Sequence, residues 1–252
     1  GPAGRFRPDT RGSGPSPGAM TIPAVRICDL VFAWPGGPSV LEIDRFEMVA
    51  GEAVFLAGAS GSGKSTLLGL IAGITPCREG EICVLGTRMD PDRPARRDAL
   101  RAAQLGIVFQ LFNLVPYLSP LENVLLPLRF SAERAARLKQ DGTDPHTEAR
   151  RLLDALGLDA GSLTRRVTAL SVGQQQRVAA ARALIGRPGL VIADEPTSAL
   201  DQDARDAFLS LLTTECRKSG AALLFVSHDR TLAERFDRQI ELADINRARQ
   251  AA

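Results

Sequence analysis

The sequence contains no apolar run of the roughly 18 residues that a bilayer-spanning helix requires. Any role at a membrane must therefore depend on a partner that spans it. Cysteine is also scarce, at four of 252 residues, and no cleavable apolar signal segment opens the chain. Because secreted disulfide scaffolds are dense in cysteine, this composition favours the reducing cytoplasm.

Potential zinc ligands are few as well. Cys77 and Cys83 lie six residues apart, and only His146 and His228 could add imidazole nitrogen. A structural zinc ion needs four ligands in tetrahedral geometry. We therefore interpret the cysteine pair as packing rather than as a metal site.

The sequence also carries little net charge. Its formal charge is +2, and Arg5, Arg7 and Arg11 together with Asp9 account for that value within the first 19 residues. The rest of the chain is therefore formally neutral. Sequence-independent binding of DNA or RNA depends on neutralising phosphates, so the charge gives no electrostatic argument for it, although a local basic patch stays open.

The remaining composition is that of a globular domain. Hydrophobic residues make up 44% of the chain and charged residues 24%, close to the average for soluble domains. Residues 1–19 are rich in Gly, Pro, Ser and Arg and lack apolar periodicity. We interpret them as a disordered leader or as the remnant of a cleaved tag, with a native extension left open.

The apolar pattern predicts strands first and then a strand, a turn and a helix. Alternation predicts strands at Val25 to Trp34 and Val40 to Val49, and an apolar run predicts one at Ala53 to Ala57. A helix is predicted at Lys64 to Gly73. Further strands are predicted at Glu81 to Leu85, Gly106 to Phe109, Leu190 to Asp194, Ala221 to Ser227 and Gln239 to Leu242.

The middle of the chain has a different pattern. Between Ser119 and Arg187 the sequence predicts one helix after another, with breaks at Gly142, Pro145 and Gly161. Together these patterns predict an α/β core with a β-rich start, interrupted by a helical subdomain.

Residues 58–65, Gly-Ala-Ser-Gly-Ser-Gly-Lys-Ser, match the phosphate-loop pattern G-x-x-x-x-G-K-[ST] between a predicted strand and helix. The glycines let backbone N–H groups approach a β-phosphate, and the following helix adds its positive end. We expect Lys64 to reach the β- and γ-phosphates and Ser65 to ligate Mg²⁺. The alternative is a glycine-rich turn with an incidental lysine, which the flanking strand and helix disfavour.

The run Gly189 to Glu195 predicts a buried parallel strand that ends in two carboxylates, at the edge where α/β sheets bind ligands. Burial without a cation would penalise both charges. We therefore assign Asp194 to the Mg²⁺ shell and Glu195, pointing the other way, to polarising the attacking water. The alternative is a strand stop that caps the next helix, which the phosphate loop disfavours.

Residues 170–174, Leu-Ser-Val-Gly-Gln, resemble the signature motif of the ABC-type ATPases, at the family's interval before the two carboxylates. A predicted helix from Gln174 to Ile185 follows. Ser171 and the N–H of Gly173 would thus present a helix N-terminus to an anion. In the family, that anion is the γ-phosphate bound by the opposite subunit.

Other elements of the family follow in order along the chain. Gln110 matches the Q-loop glutamine, residues 198–201 resemble the D-loop, and His228 matches the switch histidine. Trp34, the single tryptophan, stands where an adenine-stacking aromatic is expected. Two positions depart from the family pattern, because Val172 replaces the first signature glycine and Trp34 replaces the commoner tyrosine.

The resemblance covers nearly all of the chain after the leader. It implies an ABC ATPase domain over residues 20–252, with a P-loop ATPase core, a β-rich N-terminal subdomain and an inserted α-helical subdomain at about residues 111–187. It also implies ATP and Mg²⁺ as ligands, with Lys64, Glu195 and His228 as the catalytic residues. The implied ATP-binding residues are Trp34, Gly58, Ala59, Ser60, Gly61, Ser62, Gly63, Lys64, Ser65, Thr66, Gln110, Ser171, Gly173 and Gln174. The implied Mg²⁺ ligands are Ser65, Gln110 and Asp194.

Residues 111–128 resemble the branch of the lipoprotein-release, macrolide-efflux and cell-division ATPases (LolD, MacB and FtsE), which work with four-helix permeases that bear periplasmic domains. About half of these apolar residues would fill the helical core, and the rest would form a groove for a permease coupling helix. The resemblance thus implies an FtsX- or MacB-like integral membrane permease as partner. It also implies a homodimer in the ATP state and a peripheral location on the cytoplasmic face of the inner (plasma) membrane. Because the chain ends soon after its last predicted strand, we expect no regulatory domain beyond it.

Two other functions compete with that of a transport ATPase. A soluble ABC ATPase acting on DNA or ribosomes usually carries a long coiled-coil insertion, tandem ATPase modules or zinc modules, which this sequence lacks. A nucleotide-binding regulator without turnover would lack Glu195 or His228, and both are present. The sequence therefore favours an ATPase subunit that drives a membrane complex by export, extraction or force transmission.

Overall fold

The computed structural model describes residues 22–248, so the leader proposed at residues 1–19 lies outside the described residues. Within residues 22–248 the chain forms nine strands: β1 (Val25–Ala33), β2 (Ser39–Met48), β3 (Ala53–Ala57), β4 (Glu79–Val84), β5 (Thr87–Arg88), β6 (Leu105–Val108), β7 (Leu190–Asp194), β8 (Ala222–Val226) and β9 (Arg238–Glu241). The α-helices of the same part are α1 (Lys64–Ile71), α2 (Pro94–Gln104), α3 (Pro120–Phe130), α4 (Ala132–Gln140), α5 (Pro145–Ala155), α6 (Val172–Leu184), α7 (Gln202–Ser219) and α8 (Leu242–Ile245). Short 3₁₀ segments lie at Ala160–Ser162, Val167–Ala169 and Arg230–Arg235.

The first sheet is antiparallel and has the order β2-β1-β4-β5. Side chains along β1 largely alternate between buried and exposed positions, as expected for a strand with one face on a core. On the buried face, Ile27 lies opposite Phe46 of β2 and Ile82 of β4. This face packs into one apolar cluster with α1 and with one face of the second sheet.

The second sheet is parallel and has the order β6-β7-β8-β3-β9. All five residues of β3 and of β8 are buried, because layers cover both faces of the sheet. The carboxyl ends of all these strands point to the same edge. Residues that follow β3, β6, β7 and β8 are thereby brought close together.

Helices α3 to α6 occupy the stretch in which the sequence predicts successive helices. Ser119 forms a capping box with Glu122 at the start of α3, and Asp144 caps α5 just before Pro145. Apolar side chains of α3, α5 and α6 join the second face of the parallel sheet in a continuous core. The predicted breaks at Gly142 and Pro145 coincide with the connection between α4 and α5.

The α/β fold expected from the sequence is confirmed. Strands β3 and β7 have the predicted bounds, and the other predicted strands differ by one or two residues at one or both ends. The sequence pattern does not predict β5, α2, α7 or α8, and it assigns Leu242, the first residue of α8, to the preceding strand. No helix within residues 22–248 combines the length and apolar character needed to cross a membrane.

Candidate functional site

A cleft of about 510 Å³ lies at the carboxyl edge of the parallel sheet. Its lining comes from the loops that follow β1, β3, β6, β7 and β8, together with β2 and α1. The lining residues are Trp34, Val40, Ser60, Gly61, Gly63, Lys64, Ser65, Thr66, Gln110, Asp194, Glu195, Ser198 and His228. Most residues of the predicted site therefore meet in one cleft, and Val40 and Ser198 are the two lining residues outside that set.

The loop between β3 and α1 takes a conformation that depends on glycine. Gly61 and Gly63 have φ values of 76° and 99°, a region that residues with a Cβ rarely adopt. Gly63 is the N-cap of α1 and provides no side-chain cap, and the first turn of α1 contains no acidic residue. The N–H groups at the start of α1 are thus left for an anion rather than for a neighbouring carboxylate.

Lys64 is buried at the bottom of this loop. Its Nζ donates hydrogen bonds to the carbonyl oxygens of Gly58, at 2.7 Å, and Ala59, at 2.9 Å. An ammonium group has three donors, so these two contacts orient Lys64 and leave one N–H for a ligand. Gly58, Ala59 and Ser62 belong to the loop but do not line the cleft.

Ser65 and Asp194 form a pair of oxygen donors. The Ser65 hydroxyl donates to Asp194 Oδ2 at 3.3 Å. Burial raises the pKa of Asp194, and the hydrogen bond from Ser65 and the charge of Lys64 act in the opposite direction. A carboxylate that is costly to keep charged is stabilised by a nearby cation.

These donors match the preference of Mg²⁺, which takes hard oxygen ligands and is often held by one or two protein groups plus phosphate oxygens. Within residues 22–248 no three His, Cys, Asp or Glu side chains are grouped as a metal cage. A magnesium site whose remaining ligands come from a nucleotide is consistent with that finding. Gln110, the third predicted ligand, lines the same cleft from the loop after β6.

Glu195 and His228 are in direct contact. Glu195 follows the last residue of β7, has a φ of 46°, and donates its backbone N–H to the carbonyl of Val226 at 2.9 Å. Its Oε2 lies 2.9 Å from Nδ1 of His228 and accepts a hydrogen bond from Ser227 at 3.3 Å. Since a carboxylate only accepts, the shared proton in this pair belongs on Nδ1. Sequence reasoning missed Ser227, whose position next to His228 is the only signal the sequence offers.

Trp34 forms one wall of the cleft and also begins a turn. Its carbonyl accepts the N–H of Gly37 at 2.9 Å across Pro35 and Gly36. The indole packs edge-on with Phe32, with ring centroids 5.0 Å apart, and 49% of Trp34 is exposed. Trp34 can therefore take part in the turn beside Pro35 and line the cleft at the same time.

The structure does not bring the signature residues Ser171, Gly173 and Gln174 to this cleft. Ser171 is the N-cap of α6 and forms a capping box with Gln174, whose N–H lies 3.2 Å from the Ser171 hydroxyl. Ser171 and Val172 are exposed. The valine that replaces the first signature glycine at position 172 therefore displaces no side chain of the core. This helix end therefore faces outward, away from the interior of its own chain.

Comparisons with known proteins point to one family. A sequence model of the family described as ABC transporter matches residues 41–198. The lipoprotein-releasing system ATP-binding protein LolD of Xanthomonas axonopodis pv. citri (strain 306) is 40% identical over 195 residues, which cover 77% of this chain and 77% of the relative. The protein of the same name from Xanthomonas oryzae pv. oryzae (strain MAFF 311018) is similar to the same extent.

Solved structures give the same relationship. The dimeric bacterial ABC transporter cassette MJ0796 superposes with a TM-score of 0.72 at 32% identity, covering 86% of this chain and 93% of the cassette. A dimeric post-hydrolysis state of MJ0796 bound to ADP and Pi matches equally well.

Proposed function

The chain belongs to the ABC transporter family, and from that premise we propose that Lys64, Glu195 and His228 hydrolyse ATP in the cleft of about 510 Å³. The chain is an ATP-binding and ATP-hydrolysing subunit of a transport complex. The observation that carries the residue assignment is the meeting of the phosphate loop, Asp194 and the Glu195–His228 contact in this one cleft.

In this proposal the phosphates lie in the loop of residues 58–65. The N–H groups at the start of α1 and the ammonium of Lys64 bind the β- and γ-phosphates by charge-assisted hydrogen bonds. Ser65 and Asp194, with Gln110, would hold Mg²⁺, whose charge would offset the negative charge that develops on the phosphates. The support for this assignment is the Ser65–Asp194 contact and the burial of Asp194.

Glu195 orients and polarises the attacking water, and its carboxylate is held by two neighbours. His228 and Ser227 both contact Oε2, so the second oxygen, Oε1, is free of these partners and is the natural acceptor for the water proton. In the imidazolium form, in which both ring nitrogens donate, the remaining ring nitrogen of His228 would donate to the γ-phosphate. Catalysis is then mainly positioning and charge stabilisation, as expected for phosphoryl transfer.

A second copy of the chain supplies the signature residues. Ser171 and Gly173 lie at an outward-facing helix N-terminus that is absent from the cleft of its own chain, so they are available to the γ-phosphate bound by a partner copy. Two chains would thus enclose two ATP molecules, and hydrolysis would separate them. The dimeric cassettes among the solved structures support this arrangement.

The partner of the dimer is an integral membrane permease of the FtsX- or MacB-like type, bound at the cytoplasmic face of the inner membrane. The similarity to LolD supports this branch. Three large apolar side chains near the Q-loop and at the end of α3 are strongly exposed, namely Leu111 (84%), Tyr117 (73%) and Phe130 (76%). Such exposed residues fit an interaction surface for an amphipathic coupling helix.

The direct test is phosphate release from ATP by the purified chain, alone and in complex with the permease encoded beside it. We expect release that requires Mg²⁺ and stops when the ion is chelated. The absence of hydrolysis in both preparations, with ATP bound, would contradict the proposal.

A second prediction uses the single tryptophan as a reporter. ATP should change the emission of Trp34, and Trp34→Ala should weaken ATP binding by about 1 to 3 kcal/mol, the range for base stacking on an aromatic ring. Calorimetry should show little change for inorganic triphosphate, since it has no base. GTP should bind too, more weakly. Trp34→Phe is the matched control and should keep most of the ATP affinity; equal losses for ATP and triphosphate would instead assign Trp34 to the fold.

A third prediction concerns the exposed apolar residues. Tyr117→Ser and Phe130→Ser should each reduce co-purification with the permease severalfold, because a buried aromatic anchor is lost from the interface. Val49→Ser is the control, since Val49 is 51% exposed but follows β2 of the antiparallel sheet. Circular dichroism should show that all three variants are folded. Equal recovery of permease with every variant would place the coupling surface elsewhere.

A further inference from the structure

The segment that follows Gln110 has an unusual backbone. Phe112 and Asn113 have φ values of 58° and 49°, although neither is glycine. The N–H of Asn113 donates to the carbonyl of Leu111 at 2.6 Å, which closes a three-residue turn around Phe112. Left-handed backbone is rare for a bulky side chain, and turns of this kind are strained. Such strain persists only where neighbouring groups enforce it.

Arg182 of α6 is the group that contacts this turn. Its Nη2 donates to the carbonyl of Phe112 at 2.6 Å, and its Nη1 donates to the carbonyl of Asn113 at 2.7 Å. The guanidinium is partly buried, and burial lowers its pKa, with no contribution from a carboxylate of the described chain. Burying a cation is costly unless polar groups contact it. The partly buried guanidinium of Arg182 is stabilised by the two carbonyls that its planar fork binds, and not by an ion pair.

We propose that Arg182 is a positioning residue for Gln110, because its fork fixes the turn at residues 111–113 and thereby keeps Gln110 in the cleft. The inference rests on the role proposed above for Gln110 in ATP hydrolysis. Arg182 also links the two parts of the proposed ATP site, which are the cleft of one chain and the signature residues offered to the partner copy. Arg182 lies on α6, the helix whose N-terminus carries Ser171 and Gly173 for the partner copy, so a shift of α6 would also move the turn at residues 111–113.

Arg177 shows why this contact differs from an ordinary one. It lies on the same helix and donates to the carbonyl of Gly157 at 2.7 Å. Gly157 also has a positive φ, of 78°, but glycine adopts that conformation without strain. Arg177 is therefore a matched control: it lies on the same helix and makes the same type of bond, but its acceptor is unstrained and does not belong to the segment after Gln110.

The first experiment is hydrogen exchange on the full nucleotide-free chain. Arg182→Met should speed amide exchange in residues 109–115 by about tenfold or more, because the two bonds that hold the turn are lost. Arg182→Lys keeps the charge without the fork and should give an intermediate effect. Arg177→Met should leave the exchange of this segment unchanged. An unchanged rate in Arg182→Met would overturn the inference.

The second experiment separates positioning from general stability. In Arg182→Met, kcat should fall by about 10- to 100-fold, the scale expected when a catalytic group is misplaced. The affinity for ATP measured by calorimetry should stay within about twofold, because the phosphate loop is untouched. Parallel losses of affinity, kcat and melting temperature would assign Arg182 a purely structural role and overturn the inference.

The third experiment is a rescue. Asn113 is exposed, so Asn113→Gly relieves the strain of the turn without opening a cavity. The double variant of Arg182→Met with Asn113→Gly should recover part of the lost kcat, and a purely additive result would contradict the inference. If the wild-type chain binds ATP but never releases phosphate, the proposed function fails and the role of Gln110 with it. The exchange data would then still decide whether Arg182 holds the turn.

Discussion

Lys64→Ala should reduce phosphate release from ATP by about 100-fold or more, the usual scale for losing a single charged donor in an active site. Lys64 is buried under the phosphate loop, where the low dielectric strengthens its interaction with phosphate oxygens. The substitution also removes the bonds to the carbonyls of Gly58 and Ala59. In the proposed site, both the binding of phosphate and the shape of the loop therefore depend on one ammonium group.

The measurement is steady-state phosphate release with excess Mg²⁺, together with ATP affinity by calorimetry. Lys139→Ala is the matched control, because Lys139 is exposed on α4 and lies outside the cleft. Lys64→Arg keeps the positive charge, yet the variant should remain strongly impaired. A planar guanidinium does not reproduce the compact ammonium group, with its three tetrahedral donors, at this position. Undiminished Mg²⁺-dependent hydrolysis in Lys64→Ala would refute the assignment of the phosphate loop.

The elements that frame the cleft could be predicted because their signals are local. β3 and β7 are short apolar runs bounded by glycine or acidic residues, and their predicted bounds agree with the structure. α2 gave no comparable signal, because its sequence is rich in arginine and only Arg97 and Ala103 are buried. β5 has two residues and no detectable period.

α7 is a different case, because its signal was present in the sequence. Phe208, Leu212 and Cys216 are spaced by four residues, and all three are buried on one face of the helix. Asp201 caps the helix and Gly220 ends it in a left-handed conformation. Residues 198–201 resemble the D-loop, and that resemblance does not indicate that Asp201 also begins a helix.

Contacts within the site were less accessible to sequence reasoning. The bond from Ser227 to Glu195 joins residues 32 positions apart, and the bonds from Arg182 join residues about 70 positions apart. Such pairs are set by how α6 and the strands pack, and one sequence carries no record of that packing. The left-handed backbone at Glu195 and Phe112 was equally hidden, because glycine, its usual signal, is absent there.

Glu195→Gln should lower kcat by about 100- to 10,000-fold while ATP affinity stays nearly unchanged, since general-base groups contribute on that scale. A single oxygen, Oε2, makes both contacts with His228 and Ser227, so the amide oxygen of glutamine can take over both. The amide nitrogen then occupies the place of Oε1 and cannot accept a proton. Glu234→Gln, an exposed change outside the cleft, should behave as wild type.

Because turnover stops while ATP stays bound, Glu195→Gln should also trap the closed dimer. Light scattering during size-exclusion chromatography should report twice the monomer mass with ATP and Mg²⁺, and the monomer mass with ADP. The reason is geometric: ATP supplies the γ-phosphate that Ser171 and Gly173 of a second copy would bind, and ADP does not. If the variant stays monomeric with ATP but closes in the assembled permease complex, the dimer requires the permease. If the assembled complex also fails to close, ATP is not enclosed between two copies, and the outward-facing signature helix must serve another partner.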